Sequence, residues 1–262
     1  MKTIAFLPLI SLFLGMLTHS AQAKIKTEVV EYKSGDATLQ GFLAYDDADA
    51  KPRPGVLLIH DWMGVEGYAE SRAKQLAELG YVAFAADIYG KGVRPADPKQ
   101  AAGLAGKYKG DRALYRERLK AGLAQLTGNQ LVAPGKVAVI GYCFGGTGAL
   151  ELARSGADLK GVVTFHGGLS TPTPADAKNI KCPLLVLHGA DDPMVKPDEV
   201  AAFKKEMDDA KVKYTFIAYP DAVHAFTRPD VGSDKSKGVA YNAEADKKSW
   251  AEMKKFFSQI FS

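Results

Sequence analysis

The chain has 262 residues, 47% of them hydrophobic and 24% charged, with 26 Gly and 13 Pro. That is ordinary globular composition, which excludes a disordered chain, a collagen-like fibre and a disulfide-stapled miniprotein. The net charge of +4, from 34 basic and 30 acidic residues, points to neither nucleic acid nor a membrane surface as a partner.

At the N-terminus, Lys2 precedes an apolar run from Ile4 to Leu17, and Thr18-His19-Ser20 leads into Ala21-Gln22-Ala23. A charged start, a short greasy stretch and a small-x-small site make a secretory signal peptide. The run is too short to span a bilayer of roughly 30 Å, and Pro8 and Gly15 interrupt it. The expectation is a cleaved signal peptide over residues 1–23, ending near Ala23, and export to a periplasm or beyond. A single domain then occupies 24–262. No stable membrane anchoring is expected, since no Cys lies near the cleavage point and no other stretch is apolar enough to span.

Next come two edge strands, Glu28–Tyr32 and Ala37–Tyr45, joined by a Lys-Ser-Gly-Asp turn. Val56–His60 is continuously apolar, the mark of a strand buried on both faces. Ala69, Ala73 and Leu76 recur at helical spacing, and Gly80 stops that helix. Tyr81–Ala86 is again strand, and Gly90–Pro98 is a Gly- and Pro-rich surface loop. Tyr115, Leu119, Leu123 and Leu126 form a helical stripe. Val137–Tyr142, Gly161–Phe165, Pro183–Leu187 and Tyr214–Tyr219 are further strands, and Trp250, Met253, Phe257 and Ile260 mark a closing amphipathic helix. The alternation predicts an α/β fold, a mostly parallel, doubly wound sheet with helices on both faces. Ligands of such sheets sit at the carboxyl ends of the strands. His60, Asp61, Trp62, Asp87, Cys143, His166, His188 and His224 all stand there.

The strongest signal is Gly141-Tyr142-Cys143-Phe144-Gly145-Gly146, between a strand and the Ala/Leu-rich stretch Thr147–Arg154. This is the context of a nucleophile elbow, where the turn is so tight that the flanking glycines can carry no side chain. It would hold Cys143 at the positive end of a helix dipole, which favours a thiolate, with the Phe144 N–H facing an incipient oxyanion. A nucleophile needs a base, and the base an orienting acid, in the chain order nucleophile, acid, base. Cys143, Asp192 and His224 reproduce that order, each in a loop after a strand. Asp192 is preferred to Asp191 by its spacing from the preceding His188-Gly189. The Trp62 N–H, after the strand Val56–His60, is the second oxyanion donor, and its ring doubles as a lid. Asp61 reads either as a loop carboxylate bonded to backbone or as a partner of the thiol or of His224. His188 and His166 read as hydrogen-bonded structural residues, with His166 also lining the pocket. No histidine pair has the spacing of a zinc site, so neither metal nor cofactor is expected.

These motifs, with Tyr219-Pro220-Asp221-Ala222-Val223-His224-Ala225-Phe226 and Gly80-Tyr81-Val82-Ala83 through Asp87-Ile88-Tyr89, resemble the dienelactone hydrolase family of α/β-hydrolases. The resemblance runs from about Glu28 to the last helix. It implies an α/β-hydrolase fold and a Cys-His-Asp triad that opens a lactone through an acyl-thioester. It also implies that the Asp61 position holds the thiol until substrate arrives, a place the family gives to the longer Glu. Arg228 matches one of the arginines that the family uses to hold a substrate carboxylate, and Arg94 lies on a loop suited to the other. Asp61, Arg228, Tyr142 and His166 make up the expected substrate-binding set.

Thiolate chemistry favours esters, lactones or thioesters over unassisted amides, so the expected partner is a small-molecule ester or lactone. A non-catalytic exported binding protein on the same scaffold is the alternative. A monomer is favoured. Cys143 and Cys182 fall at opposite ends of parallel strands, roughly 20 Å apart, too far for a disulfide.

Overall fold

The computed structural model describes residues 24–48 and 50–262, so the expected signal peptide over 1–23 lies outside the described residues. β1 (Ile25–Ser34) and β2 (Ala37–Asp46) form an antiparallel hairpin in unbroken register, closed by a turn in which Gly35 takes φ +56°. The apolar runs become β3 (Arg53–Ile59), β4 (Val82–Ala86), β5 (Val132–Tyr142), β6 (Gly161–Phe165), β7 (Leu184–Gly189) and β8 (Tyr214–Tyr219). The eight-stranded sheet has the order β1-β2-β4-β3-β5-β6-β7-β8. Its β1–β2 and β2–β4 pairs are antiparallel and the others parallel.

From β3 the chain turns one way to β4 and the other way to β5, which makes their shared boundary the switch point of the sheet. A crevice opens there beyond the strand ends. The loop after β3 and the loop after β5 therefore face each other across it.

Strand alternation sorts the core into two layers. Val56, Leu58, Ala138 and Ile140 pack with Ala73 and Leu76 of α1 (Gly67–Glu78) and with Met253 and Phe257 of α6 (Ala243–Ile260). Leu57, Ile59 and Val139 pack with Leu119 of α3 (Arg112–Thr127) and Leu150 of α4 (Phe144–Arg154). The same layer takes in Tyr108 of α2 (Pro98–Gly110) and Phe203 of α5 (Pro197–Asp209). Helices thus cover both faces.

One element departs from expectation. The loop predicted over Gly90–Pro98 ends in a helix, α2, that the apolar pattern did not reveal. Its buried positions are Ala101, Ala105 and Tyr108, a weak stripe interrupted by Gly103 and Gly106. The start signal is nevertheless present, since the Asp97 side chain accepts from the Gln100 N–H and Pro98 occupies the first turn.

Candidate active site

Cys143 sits between β5 and α4 with φ +53° and ψ −114°, a strained backbone for a residue with a side chain. The strain is held by close packing on both sides. A Cβ on Gly141 would run into the Gly145 backbone, and one on Gly145 into the carbonyl groups of Ile59 and His60. The Cys143 N–H is tied to the Phe165 carbonyl at 3.0 Å. The sulfur is thereby lifted off the sheet at the N-terminus of α4.

His224 follows β8, and its carbonyl accepts from the Ala240 N–H at 3.1 Å, which pins the loop that carries it. Its Nε2 lies 3.0 Å from Cys143 Sγ, and its Nδ1 lies 2.8 Å from Asp192 Oδ2. Asp192, after β7, accepts from the Met194 N–H through Oδ1 at 2.8 Å, so both carboxylate oxygens are engaged. Burial alone would push the His224 imidazole down. The neighbouring Cys143 sulfur, the hydrogen bonds to Asp192 and Cys143 and the Asp192 charge together outweigh it, and lift His224 to about 10. The arrangement favours the protonated imidazole.

Phe144 is the first residue of α4, where a main-chain N–H has no intrahelical acceptor. Trp62, beyond β3, stands across the crevice, and both residues line the same cleft of about 310 Å³ with Cys143 and His224. Among the described residues neither N–H has an acceptor. The cleft extends towards Ala105 and Lys109 of α2, and Met194 of the acid loop also lines it. A second, smaller cavity of about 80 Å³ also touches the Cys143–His224 pair and is bounded by Asp61, Arg228 and Val239.

Of the expected substrate-binding set, Asp61 and Arg228 border the smaller cavity beside Cys143 and His224, whereas Tyr142 and His166 line neither cavity. Asp61 hydrogen-bonds to neither the Cys143 sulfur nor the His224 imidazole. Its Oδ1 accepts from the Met63 N–H, and its Oδ2 pairs with Arg228 at 2.5 Å. Arg228 also holds Asp230 and lies over the Tyr68 ring, so its charge is already met by two carboxylates. Tyr142 is fully buried and stacks on Phe165. Strand alternation puts it on the α1/α6 face with Ile140, away from the cleft. His166 is also fully buried. It packs behind His224 and lines neither cavity. Arg94 is spent on the Val65 and Val93 carbonyls. Lys109 and Met194, absent from the expected set, line the main cleft instead. Lys109 was out of sight because α2 was.

Cys143 and Cys182 are free thiols, and burial pushes Cys182 up to about 11. Among the described residues no group of three or more His, Cys, Asp or Glu is placed to hold a metal ion, and no helix is long and apolar enough to cross a membrane.

The sequence profile of the Dienelactone hydrolase family matches residues 39–261. The solved structure named m3DLH is 38% identical, covers 91% of this chain and 99% of its own, and superposes with a TM-score of 0.87. The dienelactone hydrolase-like promiscuous phosphotriesterase P91 from metagenomic libraries is 39% identical over 92% of this chain and 100% of its own, with a TM-score of 0.86. A Salmonella typhimurium protein bearing the name "Putative carboxymethylenebutenolidase" is 25% identical over 97% of this chain and 95% of its own. The chain belongs to the dienelactone hydrolase family and is a hydrolase of that family's ester and lactone type.

Proposed function

We propose that the protein hydrolyses carboxylic esters or lactones through a Cys143–His224–Asp192 triad and an acyl-thioester intermediate. The observation that carries this reading is the unbroken line Sγ–Nε2, Nδ1–Oδ2, at 3.0 and 2.8 Å, beside two main-chain N–H groups with no acceptor among the described residues. With the thiol proton on His224, the sulfur adds to the substrate carbonyl carbon. The oxygen, now anionic, is received by the Phe144 and Trp62 N–H groups. Losing one such donor typically raises the barrier by about 3 kcal/mol. As the tetrahedral species collapses, the C–O bond breaks and His224 protonates the departing alkoxide. In a lactone that oxygen stays tethered to the acyl chain. Water then gives a proton to His224 and adds to the thioester. The thiolate leaves, and the carboxylate product is released.

Cys143→Ala tests the reading directly. On short p-nitrophenyl esters the variant is expected to lose activity to background, and intact mass is expected to trap an acyl adduct on the wild-type chain only. Unchanged turnover in Cys143→Ala removes the proposal, as does tight ligand binding without turnover across an ester and lactone panel. An aryl phosphotriester belongs in the panel, because P91 is a promiscuous phosphotriesterase. We infer export from the N-terminal segment, whose charged start, apolar run and Ala21-Gln22-Ala23 site support cleavage before Lys24. A secreted chain whose N-terminal residue is Lys24 is the expected result of end-sequencing.

A further inference from the structure

The proposed chemistry leaves unused a line of buried polar groups behind the base. The His166 ring lies edge-to-face against that of His224, with centroids 5.3 Å apart. His166 Nε2 is 2.8 Å from Thr227 Oγ1, and Thr227 Oγ1 is 2.6 Å from the Tyr68 hydroxyl. The Tyr68 oxygen in turn accepts from Arg72 Nε at 3.3 Å. Arg72 is anchored by Asp246 of α6 at 2.5 Å and by the Thr227 carbonyl at 3.0 Å.

The direction of every proton in this line follows from its far end. A guanidinium only donates, so the Tyr68 oxygen accepts there, and Thr227 Oγ1, at 2.6 Å, is the acceptor within reach of the Tyr68 proton among the described residues. The Thr227 proton then goes to His166, which leaves Nε2 as the acceptor and Nδ1 as the protonated nitrogen. That hydrogen-bond order favours a neutral His166 ring in one tautomer, with Nδ1 buried and without a hydrogen-bond partner among the described residues. Its backbone takes φ +41°, a strained conformation that the fold holds with the His166 N–H on the Leu187 carbonyl at 2.8 Å.

The surroundings reinforce the neutral state. His224 and Arg228 face His166 from the loop after β8, Arg72 and Tyr68 from α1 and Tyr142 from β5, with Asp246 behind Arg72. Burial first, then the His224, Arg72 and Arg228 charges, hold His166 well below the usual histidine range. A protonated His166 would set a second cation against the His224 imidazolium.

We propose that Arg72, Tyr68 and Thr227 form a positioning relay that locks His166 as a neutral Nδ1–H ring and so keeps the His224 imidazolium aligned on Cys143. The inference rests on the triad reading, and its test is arranged to fail separately.

Thr227→Val removes the donor with little change of shape, and Thr227→Ser restores it. Alkylation of Cys143 by iodoacetamide, followed against pH without substrate, reads the state of the sulfur–imidazolium pair. In Thr227→Val the acid limb of that profile is expected to move up by about one pH unit, a roughly tenfold slower alkylation on the acid side. The acid limb of kcat/KM is expected to move with it, while Thr227→Ser keeps the wild-type profile. Tyr68→Phe, at a half-buried position, cuts the relay one step further out and is expected to give a smaller shift in the same direction. It stands in if Thr227→Val does not fold. Unmoved limbs in Thr227→Val, or in its stand-in, overturn the relay even where the melting temperature falls. A Cys143→Ala control that still turns over ester overturns the triad reading instead.

Discussion

Asp192 does two things at once at the residue scale. It accepts from Nδ1 of His224, which fixes the ring, and its buried charge helps keep the imidazole protonated. The raised value sets the sign of the pH dependence. In the proposed mechanism, the proton that His224 would give to the departing alkoxide stays on the ring through neutral pH and is lost as pH climbs through about 10. The alkaline limb of kcat/KM is therefore expected near pH 10. Asp192→Asn removes both the charge and an acceptor, so the limb is expected to move down towards the ordinary histidine range, with kcat/KM falling by about 10²-fold or more. A pH–rate series on both proteins checks it, and a limb that stays put in the variant refutes the assigned role. The nearness of Cys143, Asp192 and His224 is legible in sequence because each is marked by backbone grammar: a Gly-flanked turn, or a loop after a strand. Asp61 and Arg228 also lie in loops after strands, but their partnership is not so marked. Their mutual pairing at 2.5 Å joins residues far apart in the chain, and no local spacing announces it. Tyr142 could have been placed, since it shares parity with Ala138 and Ile140 along β5.

Among the elements, α4 carries the elbow, and its far end explains how it is held. Arg154, its last residue, is fully buried. It donates to Glu206 of α5 at 2.8 and 2.7 Å, to Glu151 at 3.1 Å and to the Leu169 carbonyl at 3.0 Å. Arg154→Met would leave two buried carboxylates short of a partner, and the loss of folding stability is expected at about 3–5 kcal/mol. Denaturant unfolding measures it, and a change below about 1 kcal/mol would show that Arg116, which also reaches Glu151 at 2.8 Å, keeps that carboxylate paired and that Glu206 tolerates the loss of its partner. Activity per folded molecule should change little, because the substitution is remote from Cys143. Strands are the most legible elements, since double burial makes them continuously apolar. α2 is the least, because Ala and Gly fill the positions where a stripe would be read. β5 begins at Val132 rather than Val137 for a related reason. Pro134-Gly135 reads as a strand boundary, yet the strand runs through it, with Gly135 at φ +70° and a register shift against β3 between Arg53 and Gly55.

At the scale of the whole molecule, one sheet divides two apolar layers that have no other common element. Every parallel strand contributes alternate residues to both, so neither layer can melt while the sheet persists. Phe257, in the α1/α6 layer, and Leu150, in the α2–α5 layer, are each almost wholly buried, at 0% and 1% exposure. Truncating either to Ala leaves a cavity worth about 3–5 kcal/mol. In a domain of this size that corresponds to a fall of about 10 °C in Tm. If residues 24–262 form a single cooperative unit, Phe257→Ala and Leu150→Ala should each lower the same transition, seen alike by near-UV and far-UV circular dichroism. The double variant should add the two losses to within about 0.5 kcal/mol, because the sites lie on opposite faces and share no partner. Two separated transitions, or a Leu150→Ala effect confined to one probe, would mean that the layers unfold independently and that the elbow helix can loosen while the other face holds.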